Sequence, residues 1–321
     1  MTTLLARVKL AVLGVSEKEI LKFKKGDTAK WRHLEDALRA EVGGYHAVLE
    51  GGGVDAIVSR LDRFPQHMNG YAHEGVAMGL TGMDCWLPGK SRLREFLAGA
   101  GDTHIYMSHI GAGEALARMR RQPEPFLNRL DDPVARWLVM DGYGFHQGFF
   151  QRARYVDRQV VPSHLSPYAR RVFDQGVGRS IWFTSGADVE RVAAEVAAFA
   201  PPRQPDMWLG IGTGSCYAGG LERQEFERLR EVCEPHLAYV ATGASFAAKG
   251  RHRAGNPVSD TEMACEVLCE TSSAGAAAIV DDVMSNISAH YARPACAVVQ
   301  DGVIEAFSSL SRPAMDVDLG R

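Results

Sequence analysis

The 321-residue chain is 46% hydrophobic, 23% charged and 8% aromatic. These shares are those of an average globular protein and exclude a disordered tail, a collagenous rod and a disulfide miniprotein. Thirty-six Lys and Arg against 39 Asp and Glu leave a net charge of −3, without the basic excess that a nucleic-acid partner requires. Glycine is the anomaly: 33 residues, about 10% where about 7% is usual.

In chain order, Met1–Leu13 is too short for a signal peptide, and Arg7 and Lys9 break its apolar run. No stretch reaches the roughly 18 apolar residues of a membrane span, so a cytoplasmic chain not integral to a membrane is expected. Lys18, Lys22, Lys24 and Lys25 form a basic cluster, as do Lys249, Arg251, His252 and Arg253. Both read first as solvated faces, and second as docking sites for an acidic carrier or pathway protein. Helical stripes follow: Trp31, Leu34, Leu38 and Val42; Val54, Ile57, Val58 and Leu61; Leu93, Phe96 and Leu97; Val189, Val192, Val196 and Phe199. Asp260 caps a helix over 261–270, and Pro201-Pro202 ends one over 188–200. Only Ala295–Phe307 reads as strand, with Asp301-Gly302 between two Val-rich runs. The six cysteines fit no zinc or disulfide spacing; Cys265 and Cys269 read as small core residues.

A gapless offset of 101 residues aligns Gly75-Val76 with Gly176-Val177, Ile110-Gly111 with Ile211-Gly212, and Val139, Gly142 and Phe145 with Val240, Gly243 and Phe246. The expected fold is therefore mostly α: two pseudo-repeated helical units, an N-terminal helical cap and a short C-terminal β-hairpin. The boundaries are 1–64 for the cap, 65–150 and 151–290 for the units, and 291–321 for hairpin and tail. The matched glycines imply close helix contacts or room for a ligand, since each costs about 1 kcal/mol against Ala in a helix. Gly212-x-Gly214 lacks the third glycine of a dinucleotide fingerprint and its βα context.

Polar residues distinguish the units. The first holds His73, Glu74, His109, Glu114, Asp141 and His146; the second holds Asp174, Gln175, Gly210, Ser215, Thr242 and Ala247 at the matching places. Acid, base and ligand groups in apolar surroundings shift their pKa values toward neutrality. His73, Glu74, His109, Asp141 and His146 are the candidate acid–base set. Tyr106, Met107, Tyr143, Phe145, Trp208, Tyr217 and Phe246 are the candidate walls of an apolar tunnel. With Glu114, the His and carboxylate residues also suit iron or manganese, but the Glu-x-x-His and His-Glu-x-x-His spacings are absent. No metal or other cofactor is assigned. Gly-x-Ser-x-Gly is absent too.

Several strings carry a resemblance: Gly44-Tyr45-His46-Ala47, Ala72-His73-Glu74-Gly75-Val76-Ala77-Met78, His109-Ile110-Gly111-Ala112-Gly113, Asp141-Gly142-Tyr143-Gly144-Phe145-His146, Phe173-Asp174-Gln175-Gly176, and Phe246-Ala247-Ala248-Lys249 with Arg253-Ala254-Gly255-Asn256. From about residue 10 to 290 the chain resembles the UnbL family of enediyne biosynthesis proteins, a bacterial family classed as of unknown function. The resemblance implies a role beside the iterative polyketide synthase that makes the polyene precursor, and it supplies no catalytic residues. The expectation is an enzyme that matures an apolar polyene by proton transfer or cyclisation, in a tunnel of several hundred Å³. In that reading Gly111→Leu or Gly212→Leu blocks the ligand and spares the helices. The alternative is a non-catalytic protein that holds the polyene or organises partner enzymes.

Overall fold

In a computed structural model, the described residues are 4–311 except 62, 88, 90 and 288–292. Among them every regular element is helical. Seven long helices make the frame: α1 (Ala29–Glu50), α2 (Asn69–Trp86), α3 (Ile105–Arg118), α4 (Leu138–Phe150), α5 (Pro167–Thr184), α6 (Gln204–Ala218) and α7 (Leu237–Arg253). Local chemistry sets their limits. The Thr28 and Ser166 side chains accept from the Trp31 and Ala169 amides, and Pro167 pre-sets the first turn of α5. Gly51 and Gly219 end α1 and α6 with φ of 79° and 71°, values that glycine adopts without strain.

Each long helix packs on the next, and neighbours run parallel. At the starts of α4 and α5, Trp137 meets Tyr168 edge-on at 4.7 Å; at their ends, Arg152 donates to the Thr184 hydroxyl at 2.8 Å. Near the ends of α6 and α7, Arg251 donates to the Tyr217 carbonyl at 2.6 Å. Short segments such as Arg92–Leu97, Val189–Ala197 and Arg223–Val232 bring the chain back to the start of the next long helix.

Glycine spacing explains why the helices lie so close. Residues two apart on a helix point about 200° apart, so Gly-x-Gly puts a bare backbone on each flank. Gly113 lies over the Val139 carbonyl and Gly142 over the Ile110 carbonyl, so α3 and α4 meet reciprocally. Gly144 and Gly176 do the same for α4–α5, Gly178 and Gly210 for α5–α6, Gly212 and Gly243 for α6–α7, and Gly44 and Gly75 for α1–α2. At each of these places a Cβ would come under 3.0 Å from a backbone oxygen. Cα–H···O contacts of this kind occur where helix backbones nearly touch. At α2–α3, Gly111 lies over the Glu74 carbonyl, and buried Ala77 takes the place that glycine has elsewhere.

The recurrence therefore runs helix by helix: Gly44, Gly75, Gly111, Gly142, Gly176, Gly210 and Gly243 follow at 31 to 36 residues. The 101-residue offset corresponds to three such steps. Its register is not uniform, because Gly111 faces the preceding helix and Gly212 the following one. Residues 1–64, read as a cap, contribute α1 to the layer itself.

The layer twists until its two edges meet. Trp31 of α1 packs on Gly186 beyond α5, the His33 ring meets the Ala218 carbonyl, and Arg251 donates to the His67 carbonyl at 2.6 Å. One continuous core runs from Val15 to Phe307. Two more helices, α8 (Ser273–Ser285) and α9 (Ala295–Ala306), lie beside α7.

Helix α9 corrects the expected hairpin. Cys296, Ala297, Val299, Gln300 and Val303 are its buried residues, a helical face that the Val-rich composition masked. Asp301-Gly302 lies inside the helix, and Gly302 is pressed against Val283 of α8. The tail from 312 onward lies outside the described residues. No single described helix is long and apolar enough to cross a membrane; the pair Ser259–Leu268 and Ser273–Ser285, bent by 69°, reaches that length only together.

Candidate active site

The faces of the long helices that lie opposite the middle residue of each Gly-x-Gly turn toward one another. That face carries the residues one before and three after the first glycine: Glu74 on α2, Glu114 on α3, Asp141 on α4, Gln175 and Arg179 on α5, Thr213 on α6 and Phe246 on α7. A narrow cavity of about 80 Å³ is bordered by those of α4 to α7, while Glu74 and Glu114 lie outside its lining. Tyr71, Tyr106, Met107, Ile110, Leu209, Tyr217 and Phe246 give it apolar and aromatic walls, and Asp141, Gln175, Arg179, Thr213 and Lys249 are polar residues of its lining. Gln300 of α9 borders it and accepts from Tyr168 and exchanges hydrogen bonds with Gln175.

Arg179 organises the polar end. It is 4% exposed. Its Nε and Nη2 lie 2.9 and 2.8 Å from Asp141 Oδ1, and its Nη1 lies 3.6 Å from Glu74 Oε1. Phe145 covers the guanidinium, with its ring centroid 4.2 Å away. Behind it, carboxylate oxygens of Glu41, Glu74 and Glu114 lie within 4.8 Å of one another. Glu74 and Glu114 are each 1% exposed, and their carboxyls lie within hydrogen-bonding reach of each other once one of them holds a proton.

Three buried carboxyls and the half-buried Glu41 thus gather around one guanidinium. Like charges packed this closely cannot all ionise. Burial pushes Glu74 up from 4.5 to about 8, with Arg179 opposing the rise and Glu41 adding to it. Burial also raises Glu114 well above its ordinary value, helped by Glu41 and Glu74, and raises Glu41. Burial raises Asp141 as well, against the pull of the guanidinium it touches. The arrangement is an Asp141–Arg179 ion pair backed by glutamic acids that hold protons near neutral pH. It can give a proton and take one back. The three glutamates could also ligate a hard cation, although Arg179 beside Glu74 competes for the same charge.

Of the residues expected from sequence, Glu74 and Asp141 come together here; the histidines do not. His73 donates from Nδ1 to the Asn69 carbonyl at 2.7 Å and stacks on His104, 4.2 Å between ring centroids. His109 donates from Nδ1 to the Ile105 carbonyl at 2.7 Å. Both sit two residues before a glycine, on the far side of their helices from the cavity, and burial pushes both pKa values down. His146 is pushed down to about 3 by burial and lines a separate cleft. Of the expected walls, Tyr106, Met107, Tyr217 and Phe246 border the cavity. Phe145 lies over Arg179. Tyr143 packs instead against Phe173 at 6.2 Å between centroids, and Trp208 is buried away from the cavity lining.

Sequence reading missed Arg179 and Glu41. The available signal was position: Glu74 and Asp141 immediately precede a helix-contact glycine, and Glu114 and Arg179 follow one by three, so all four share one face. The cavity is also narrower than the expected several hundred Å³, because the glycines are filled by neighbouring backbone rather than by space.

A family model described as "Protein of unknown function (DUF1702)" matches residues 4–307. No curated protein and no solved structure matches the chain.

Proposed function

Since the chain belongs to the DUF1702 family, whose description assigns no activity, we propose from its own residues that it is an enzyme of acid–base chemistry on an apolar, unsaturated substrate. The observation that carries this reading is the placing of Asp141 and Arg179 in the wall of an aromatic cavity, with protonated Glu74 and Glu114 directly behind them. A protein that only holds an apolar chain has no use for three buried carboxyls, each of which costs desolvation energy. A proton-transfer catalyst needs a neutral acid and a carboxylate within reach of one substrate.

The reaction that fits is redox-neutral. Asp141, the carboxyl that lines the cavity, delivers to one sp² carbon a proton supplied by the glutamic acids behind it, and the cation that results loses a different proton to the carboxylate left behind. The net change is double-bond migration or ring closure, with no atoms gained or lost. Aromatic walls stabilise delocalised positive charge along the way. With about 80 Å³ of room, the cavity admits the reacting end of a substrate and not a whole long chain. The resemblance to UnbL proteins supports a polyketide-derived polyene of an enediyne pathway as that substrate.

Mass spectrometry of the intermediates that accumulate when this gene alone is deleted tests the reading. An accumulated conjugated polyene that wild-type protein consumes, and that the Glu74→Gln variant leaves at least tenfold more slowly consumed, supports it. Equal consumption by the variant, or an accumulated compound without conjugation, counts against it.

A further inference from the structure

A second opening shares no lining residue with the interior cavity. The C-terminal ends of α1–α4 border a cleft of about 810 Å³, and the Leu4–Leu13 helix forms its far wall. The floor is apolar, with Leu13, Leu49, Met78, Met83 and Phe150. The rim exposes large apolar groups to solvent: Val12 is 74% exposed, Trp86 63% and Leu87 54%. Exposed apolar side chains gathered around one opening mark a binding surface.

Charge at the cleft is one-sided. Lys9, Lys22, Arg118, Arg120 and Arg121 line it, against the single carboxylate of Glu19. Among the described residues, none of these five cations makes an ion pair. Helix C-termini attract cations, and this accounts for two of them: Lys22 donates to the Phe150 carbonyl, and Arg118 to the carbonyls of Leu13 and Gly14. Lys9, Arg120 and Arg121 remain at the mouth. Deeper in, His146 is 5% exposed and both of its ring nitrogens lack a partner.

We infer that this cleft binds a single-chain anionic amphiphile, its hydrocarbon tail along the Leu49–Met83–Phe150 floor and its acidic head held by Arg120, Arg121 and Lys9. The volume falls within the range of small-molecule sites, and apolar floor, cationic mouth and one-sided charge match the two ends of such a molecule. The site is separate from the interior cavity, and its test does not depend on the proton-transfer reading.

Palmitate is the probe, with hexadecanol as its uncharged counterpart, read by native mass spectrometry and calorimetry on the full chain. Gly82→Phe fills the cleft: a Cβ at Gly82 meets only Met119 Sδ, at 3.8 Å, and replacing a helical glycine favours the helix. The double variant Arg120→Gln with Arg121→Gln removes the head contacts from exposed positions. The expected result is a one-to-one palmitate complex, at least tenfold weaker with hexadecanol, with Gly82→Phe and with the double variant, at unchanged helix content. Should Gly82→Phe lose its fold, the double variant and the alcohol decide. Equal affinity for the alcohol and the acid would overturn the proposal. So would palmitate binding that neither folded variant weakens, or association with phosphatidylglycerol vesicles without any one-to-one palmitate complex.

Discussion

Glu74 shows how one side chain couples folding to pH. Its pKa is raised by burial from 4.5 to about 8, so the folded protein holds this proton more tightly than the unfolded chain does. The stabilisation is complete below the unfolded value and is lost as pH rises through the folded one. Between pH 5 and 8, wild-type stability should therefore fall relative to that of Glu74→Gln, which keeps a neutral group of the same shape. Urea denaturation at several pH values checks this, and parallel curves for the two proteins would show that the carboxyl is not held neutral. At this scale the sequence was only partly legible. Glu74 and Asp141 stood out as titratable groups beside glycine, and they do share the site. The histidines stood out for the same reason, yet their ring N–H groups bond carbonyls of their own helices. A position two residues before a contact glycine turns away from the interior, whereas a position one before turns into it. Arg179, which holds the cluster together, read as an unremarkable helical arginine because its partners come from helices up to 105 residues away in sequence.

The long helices were legible as helices because their apolar stripes follow the 3.6-residue period. Their contacts were not, since a glycine in a sequence marks either a space or a touch. The structure decides for touch: the carbonyls of one helix occupy the places where Cβ atoms of the next would be. The expectation that Gly111→Leu would merely block a ligand is corrected accordingly, because a Cβ at Gly111 already collides with the Glu74 backbone. Two alanine substitutions separate the cases. Gly142→Ala meets the Ile110 carbonyl and should cost about 3 kcal/mol, the upper part of the usual overpacking range. Gly82→Ala, on the open side of α2, should stabilise by about 0.5–1 kcal/mol. Chemical denaturation of both variants measures the difference, and equal effects would mean that the interhelical glycines are not packed as described. The misread element, α9, has a simple physical cause. Its run of Val residues has high strand propensity, but its buried face follows helical spacing against α7 and α8, and packing outweighs propensity.

As a whole, the molecule is a twisted layer of parallel helices whose edges are tied by Arg251, His33 and Trp31. Closing the layer is what makes an inside. Helices three apart in the chain come to face one another, so that Arg179 of α5 reaches Glu74 of α2. The 101-residue offset in the sequence spans three helical steps, and its register fails at Gly111 and Gly212, so the two-unit repeat read from it is not shown. Shared glycine positions conveyed neither how far the layer curls nor how little space it encloses. That enclosure lets an ion pair border a mostly apolar cavity with protonated carboxyls directly behind it, and the proposed proton relocation on an unsaturated substrate rests on it. The most direct measurement is turnover, by purified protein in D₂O, of the polyene that accumulates without this gene. The product should keep the substrate's elemental composition and carry one carbon-bound deuterium, with formation slowed at least tenfold by Glu74→Gln. A product that has gained oxygen or lost hydrogen, or that forms without deuterium and at the wild-type rate in the variant, would contradict the account.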